Sequence, residues 1–329
     1  MFPGLAAIGR GRPWLQGLVE RIPSTILKAQ APSSVKKYSK AFQFAVSWIK
    51  TNFDEVRLPF GLLQTVVFLQ WVVDTSKNKQ RYNKFLYGIR WGHRKAGLSS
   101  PTDAIIVKEM SLAAARILGR PINKKMPVKS ALLDKIYTVN KLFLQSSFAV
   151  QRNCAIPNLC NRGFLRINEL VNVQRKNVKV FKDLIEIFIP VRKNDPESEG
   201  HTVFLAKSNS ISCPYKVVEK LLSIIPVSPE AHLIFRINAQ RKVLEAGLSE
   251  GHARKMFKEV AATVLTETEV KNVSTHSAKR GGIQDAADAG CSGQEINCHA
   301  GYKSDKSKLD YLDKKKMSRD VAKKLAKKF

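Results

Sequence analysis

The chain has 329 residues, enough for about two domains of roughly 150 residues each. Its 56 lysines and arginines outnumber its 27 aspartates and glutamates, which gives a net charge of +29. The most apolar run, 62–73, is interrupted by two glutamines, so the sequence excludes a transmembrane helix. Five cysteines without a Cys-x-x-Cys pair argue against a disulfide scaffold or a zinc ribbon and favour a reducing compartment.

The surplus of positive charge predicts a polyanionic partner, because self-repulsion of this size destabilises a compact chain. Nucleic acid is the first candidate, since phosphates that are neutralised by lysine and arginine release their counterions. A membrane surface or ribosomal RNA satisfies the same charge balance. The charge therefore indicates a class of partner and no activity.

The first third of the chain predicts an all-α module. Residues 1–32 are expected to form a flexible basic arm, because prolines and glycines there interrupt any amphipathic helix. Apolar residues at helical spacing then predict four helices, which begin near Ser33, Leu62, Gln80 and Ser100. Together they make a compact module over 33–119. The polar stretch 120–128 carries two prolines and is the predicted linker.

The periodicity changes after Val178. Residues with β-branched and aromatic side chains predict three strands, at 178–184, 185–191 and 201–205, around a turn at 194–200. Everything beyond Cys213 has helical spacing. The second domain, 129–313, is therefore predicted to be mostly α with a small antiparallel sheet, followed by a basic helix over 314–329.

Two motifs pair charged residues along one helix face. Arg166 and Glu169 are three residues apart, and in isolation they indicate a surface ion pair. His276 and Arg280 are one helical turn apart. Such a pair can bind a phosphate and move a proton, or it can belong to a solvated helix start.

Two tyrosines complete the order of motifs. Tyr302 follows Gly301, and Tyr311 comes nine residues later; singly, each is typical of a core residue. In this order, however, the motifs resemble the catalytic region of the tyrosine recombinase (phage integrase) family. The resemblance covers about 131–312, and the preceding module is similar to the family's SAM-like core-binding domain. The local sequence is nearest to recombinases of eukaryotic mobile elements, of the DIRS or crypton type.

The resemblance implies a site-specific DNA recombinase or integrase that breaks and rejoins DNA through a 3′-phosphotyrosyl intermediate. It implies no metal ion, no ATP and no other cofactor. The implied catalytic residues are Arg166, Lys193, His276, Arg280, Tyr302 and the nucleophile Tyr311, with Glu169 and Lys279 in support. In this scheme Arg166 and Arg280 hold the phosphate, Glu169 orients an arginine, and Lys193 protonates the leaving oxygen. Arg192 and Lys207 are the alternatives to Lys193.

The sequence departs from the family pattern at two positions. The family places its second arginine three residues after the histidine, where this chain has Lys279. We expect Arg280 to take the role, because a guanidinium fork suits a phosphate better than an ammonium group; Lys279 is the alternative. Tyr302 replaces the usual histidine or tryptophan, and its hydroxyl stays open as a second nucleophile. Counting from His299 instead would put a lysine at the nucleophile position.

The implied partner is double-stranded DNA. An apolar stripe at every fourth residue of the basic end, Met317, Val321, Leu325 and Phe329, indicates a helix that docks either on its own domain or on a neighbouring protomer. The second case predicts a homo-tetramer on DNA. We expect no membrane partner and no secretion; the location is nuclear if the host is eukaryotic, and otherwise the cytoplasm and nucleoid.

Three other functions fit parts of the sequence. A catalytically inactive or domesticated recombinase would keep DNA binding alone. A type IB topoisomerase-like relaxase would share the chemistry, but the recombinase spacing fits better. A basic RNA- or ribosome-associated protein would explain the charge and leave the ordered motifs as coincidence.

Overall fold

The computed structural model describes residues 13–120, 125–192 and 199–302. The chain forms two compact units, residues 1–123 and 124–329, and the division falls inside the stretch that the sequence indicates as a linker. Lys193, Tyr311 and the expected helix over 314–329 lie outside the described residues.

The described part of the first unit is helical. Its helices α1 to α5 span Pro13–Lys28, Pro32–Asn52, Leu62–Asp74, Lys79–Lys95 and Ile105–Ile117, and a short 3-10 helix spans Pro101–Asp103. Helices α2 and α4 pack along each other around buried side chains such as Ala45, Phe68, Tyr82 and Ile89. Helices α2 to α5 occupy the positions that the hydrophobic spacing predicts.

Helix α1 corrects the expectation of a flexible arm. The prolines and glycines that suggested an arm stand at or before Pro13, and a proline is favoured in the first turn of a helix. Two hydrogen bonds connect this region to α4. Trp91 Nε1 donates to Gln30 Oε1 at 2.8 Å, and Lys95 Nζ donates to the Ile26 carbonyl at 2.9 Å.

The described part of the second unit combines helices with two small antiparallel sheets. Its helices are α6 Ser130–Val139, α7 Lys141–Ser146, α8 Phe148–Arg162, α9 Ile167–Val171, α10 Pro214–Ile224, α11 Glu250–Ala262, α12 Glu267–Lys271, α13 Thr275–Asp288 and α14 Gly293–Ala300. Its strands are β1 Val178–Val180, β2 Leu184–Ile189, β3 His201–Ala206, β4 Phe235–Ile237 and β5 Val243–Gly247. The sheets have the orders β1-β2-β3 and β4-β5. The prediction of a mostly helical fold with a small antiparallel sheet is confirmed.

Alternation in the first sheet buries one face. Ile185 pairs with Leu205, and Ile187 pairs with Val203; all four side chains are buried. Strand β2 ends at Ile189, and Arg192, three residues later, is buried.

Two strand predictions are wrong in detail. The first two strands are separated by a tight turn at 181–183, where Phe181 N–H donates to the Leu184 carbonyl, and not by a break after Leu184. The hairpin of β4 and β5 contradicts the expectation of helices throughout the region beyond Cys213. These strands have three and five residues, too few for a period of two to be distinguished from helical spacing.

Helix α8 is the centre of the second unit, and α13 packs directly on it. Two glycines of α13 permit the close approach. A Cβ at Gly281 would lie 1.8 Å from the Val128 carbonyl oxygen, and one at Gly282 would lie 2.1 Å from the Asn161 carbonyl oxygen. The Gly281-Gly282 pair therefore sets how deeply Lys279, two residues before it on the same helix, enters the unit. Within the described ranges, no helix is long and apolar enough to cross a membrane.

Candidate active site

A buried carboxylate organises the candidate site. Arg166 immediately precedes α9, and its backbone N–H donates to Glu169 Oε2 at 2.8 Å. The Arg166 side chain also donates, from Nη1 to Glu169 Oε1 at 2.7 Å. Glu169 is only 3% exposed. The pair is therefore a buried feature, and the interpretation of an isolated surface ion pair does not apply.

Arg192 joins the same carboxylate from the end of the first sheet. Its Nε donates to Glu169 Oε1 at 3.1 Å. Its two terminal nitrogens donate to the carbonyls of Ala300, at 2.9 Å, and Gly301, at 3.4 Å. The sequence suggested Arg192 only as an alternative to Lys193. In the structure it connects Glu169 to the chain segment that leads to Tyr302.

Gly301 is required for this connection. Its φ is +60°, in the left-handed region that glycine adopts without a penalty. A Cβ there would lie 1.7 Å from Arg192 Nη1. The glycine of the Gly-Tyr motif therefore has a physical reason to be glycine: any side chain would displace the arginine.

The charges around Glu169 hold it ionised. Burial by itself would raise the pKa of this carboxyl. The nearby Arg192, the hydrogen bond from the Arg166 backbone, and the charges of Lys279 and Arg166 outweigh burial and lower the pKa below its usual value. Glu169 is thus a buried anion that holds two arginines by hydrogen bonds.

Lys279, which the sequence offered as the alternative to Arg280, is a fully buried member of the site. It lies on α13, its side chain is 0% exposed, and its Nζ has no hydrogen-bond partner among the described residues. The ammonium group lies 4.8 Å from the centre of the Tyr302 ring, a cation–π contact. Burial, followed by repulsion from Arg166, lowers the pKa of Lys279 to about 7, although Glu169 opposes the shift.

His276 lies one turn before Lys279 on the same face of α13. Its side chain is exposed. Partial desolvation, and then the positive charges of Arg254, Arg166 and Lys279, lower its pKa below the usual value. The imidazole is therefore neutral at neutral pH and is able to accept a proton.

Arg280 has a different environment from the one expected. It is half-buried, and its Nη1 donates to the Lys125 carbonyl oxygen at 3.0 Å. Lys279, one residue earlier, is the side chain of this motif that lies against Tyr302 and beside Arg166. This is the position that the family pattern specifies, three residues after His276.

Tyr302 packs against the buried side chains of Phe164, Ile283, Ile296 and Ala300. Its hydroxyl oxygen is itself buried, which does not favour it as a nucleophile. Lys207, the remaining alternative to Lys193, is exposed, and its ammonium lies 5.1 Å from the centre of the Tyr215 ring.

The other histidines near the site make structural contacts. His299 Nε2 donates to the Arg162 carbonyl at 2.9 Å, and its ring meets Phe164 edge-on. His201 Nε2 donates to the His299 carbonyl at 3.1 Å. Across the described part of the chain, no group of three or more histidines, cysteines or acidic residues could hold a metal ion.

The fold is that of known recombinases. No protein-family model matches the chain, and no curated protein matches its sequence. Solved structures do match. A lambda integrase dimer bound to a COC′ core site superposes with a TM-score of 0.56 at 12% identity, over 90% of this chain and 76% of that one. The XerH site-specific recombinase bound to palindromic difH substrate gives 0.57 at 14% identity, over 84% and 75%.

The Tn1549 transposon integrase, in complex with transposon right end DNA, gives a TM-score of 0.51 at 12% identity, over 89% of this chain and 99% of that one. At these identities the likeness shows the fold. The chain therefore has the fold of the tyrosine recombinases, and its function is inferred from the site.

Proposed function

We propose that this protein is a DNA strand transferase of the tyrosine recombinase type, acting as a site-specific recombinase or integrase. The observation that carries the proposal is the buried cluster of Arg166, Glu169, Arg192 and Lys279, with His276 beside it, in a chain that has the recombinase fold. A rigid group of cations of this kind is suited to bind a phosphodiester and to stabilise its transition state.

The reaction forms one bond to phosphorus and breaks another. The Tyr311 hydroxyl oxygen attacks the scissile phosphorus, and the bond from phosphorus to the 5′-oxygen breaks. The product is a 3′-phosphotyrosyl link and a free 5′-hydroxyl. Attack by a 5′-hydroxyl on the phosphotyrosyl link reverses the step and rejoins the DNA, so no ATP is needed.

Each side chain has a separate role in this reaction. Arg166 binds the phosphate, and Lys279 supplies the second positive charge, in place of the expected Arg280. His276, neutral at neutral pH, accepts the proton of the attacking phenol. Lys193 donates a proton to the leaving 5′-oxygen. Tyr302 holds Lys279 in place through its ring.

The proposed partner is double-stranded DNA, bound by both units through phosphate contacts. The net charge of +29 supports this, and so do structural neighbours that are described as bound to DNA. A lambda integrase tetramer bound to a Holliday junction is among the neighbours. We propose that the basic end, 314–329, joins protomers into a tetramer on DNA. The DIRS- or crypton-like origin stays a prediction from the sequence.

A trapped covalent intermediate tests the proposal. Labelled duplexes from the DNA that flanks the gene, each nicked just past a candidate cleavage point, are incubated with the protein and separated on denaturing gels. We expect an adduct with the wild type and with Tyr302→Phe, and none with Tyr311→Phe. An adduct that is lost only in Tyr302→Phe would keep the chemistry and reassign the nucleophile.

The second candidate function is a DNA-binding protein without catalysis. It is favoured by the lysine and the tyrosine that replace the family's arginine and its histidine or tryptophan, at Lys279 and Tyr302. It predicts tight binding that weakens steeply with salt and no adduct on any duplex. That result would overturn the proposed strand transfer.

A further inference from the structure

Positive charge exceeds negative charge inside the described site. Arg166, Arg192 and Lys279 surround one carboxylate, Glu169. That carboxylate already accepts hydrogen bonds from both arginines. Lys279 is left with an aromatic ring as its neighbour and with no hydrogen-bond acceptor in the described part of the chain. A buried cation without an acceptor favours loss of its proton.

The groups that face Lys279 come from several elements. Arg166 and Glu169 belong to the start of α9, Arg192 follows β2, Cys160 lies on α8, and His276 lies on α13 itself. Tyr302 covers the ammonium after α14. Cys160 is buried, and its burial raises the pKa of the thiol to about 12. The thiol is therefore neutral, and Glu169 is the one anion of this set.

An anion at the solvent side of Arg166 would change this balance. The Arg166 side chain is 17% exposed, whereas Lys279 has no exposed surface. A phosphate can therefore reach Arg166 while Lys279 senses it only through its electric field. A negative charge several ångströms away in a partly buried site favours the protonated form of an amine.

We infer that Lys279 is a proton-linked positioning residue, neutral in part of the free protein and protonated when an oxyanion binds at Arg166. The inference rests on the proposed function in one respect, that the natural oxyanion is a DNA phosphate. Its consequence is that oxyanion binding takes up a proton. Because the pKa of Lys279 is about 7 in the free protein, affinity should fall as the pH rises above 7, by up to about tenfold per pH unit.

An always-charged arginine at this position would not behave in this way. The guanidinium keeps its proton at any pH at which the protein is folded. The lysine thus makes the site responsive to pH in the neutral range. A site with the common family pattern, which has arginine three residues after the histidine, would not respond to pH in that range.

Nuclear magnetic resonance of lysine labelled with ¹³C at Cε tests the inference directly on the full chain. Lys279→Arg, or Lys279→Met if that variant does not fold, identifies the resonance by its disappearance. We expect this one resonance to titrate near neutral pH. With sulfate, the midpoint should move up by about one pH unit or more. Chloride at equal ionic strength should have a smaller effect, and it is the control for screening by salt.

Two results would overturn the inference: Lys279 titrating together with the surface lysines, or a midpoint that sulfate moves no further than chloride does. The test uses no DNA and no cleavage. If Lys279 responds to sulfate as expected but no covalent adduct forms on DNA, strand transfer is rejected and the proton-linked role of Lys279 stands. If an adduct forms but sulfate has no effect on Lys279, strand transfer stands and the proton-linked role is rejected.

Discussion

The carboxylate of Glu169 accepts two hydrogen bonds from Arg166, one from the backbone at 2.8 Å and one from the guanidinium at 2.7 Å. The same carboxylate binds the guanidinium of Arg192 at 3.1 Å. One buried anion therefore fixes an arginine that faces solvent and an arginine that does not.

Glu169→Gln should destabilise the second unit by about 3 kcal/mol, because removing one partner leaves buried charges uncompensated. All four tryptophans precede residue 100, so their fluorescence reports on the first unit, while circular dichroism reports on both. Urea unfolding should show a shifted dichroism transition and an unchanged fluorescence transition.

The matched control is Glu267→Gln. Glu267 forms an exposed ion pair with Lys271, and such pairs contribute less than about 1 kcal/mol. Equal effects of the two substitutions would contradict the importance of the buried carboxylate.

Gly301→Ala should cost about 2 kcal/mol or more, through the left-handed backbone and through displacement of Arg192 by the new Cβ. We also expect slower adduct formation at unchanged DNA affinity, because Arg192 holds the segment that leads to Tyr302. Rates and binding isotherms on the same nicked duplex separate the two effects. A proportional loss of binding would indicate general unfolding instead.

Gly281→Ala should be strongly destabilising, because its Cβ would meet the Val128 carbonyl at 1.8 Å and would push α13 away from α8. Gly251→Ala is the matched control. It is also within a helix, but a Cβ there meets nothing within 4 Å, so it should stabilise by up to about 1 kcal/mol. Unfolding midpoints by circular dichroism measure both variants, and opposite signs are the expected result.

The first unit should lose stability below about pH 6.5 through His93. This side chain is fully buried; its Nε2 accepts from the Phe60 N–H at 3.0 Å, and its Nδ1 donates to the Ile89 carbonyl at 2.8 Å. Burial lowers its pKa, despite the bond to Ile89. The contribution to stability is therefore complete above the unfolded-state pKa and is lost as the pH falls, by up to about 1.4 kcal/mol per unit.

Tryptophan fluorescence during urea unfolding at pH 7.5 and pH 5.5 measures this dependence. His93→Gln should reduce the difference between the two pH values, at some cost in stability at both. An unchanged difference would assign the acid sensitivity to another group.

Hydrophobic spacing predicted the helices of the first unit because each has an apolar face against one core. It failed for α1, where breakers in the preceding residues obscured a helix, and for β4 and β5, which are too short to show a period. The Arg166 and Glu169 pair was recognised by spacing, but its burial was not, because burial depends on Arg192 and on α13. Those partners are distant in sequence.

The choice between Lys279 and Arg280 shows the same limit. The better fit of a guanidinium to a phosphate favoured Arg280. In the structure, however, α13 places the side chain of Lys279 beside Arg166 and against the Tyr302 ring. The two glycines that follow carried the signal, since a helix with adjacent glycines can pack closely on its neighbour. How closely α13 packs, however, is set by the carbonyl groups of Val128 and Asn161, and both residues are distant from the glycines in sequence.

The bonds that Arg192 makes have a consequence for comparing this chain with its relatives. Glu169, Arg192 and Gly301 lie on three separate stretches, yet Arg192 contacts both of the others, so a change at any one of the three removes or displaces a contact of Arg192. Among homologues, the three residues should therefore be kept or replaced together. A hairpin taken from another recombinase should function in this chain only if all three positions are exchanged with it.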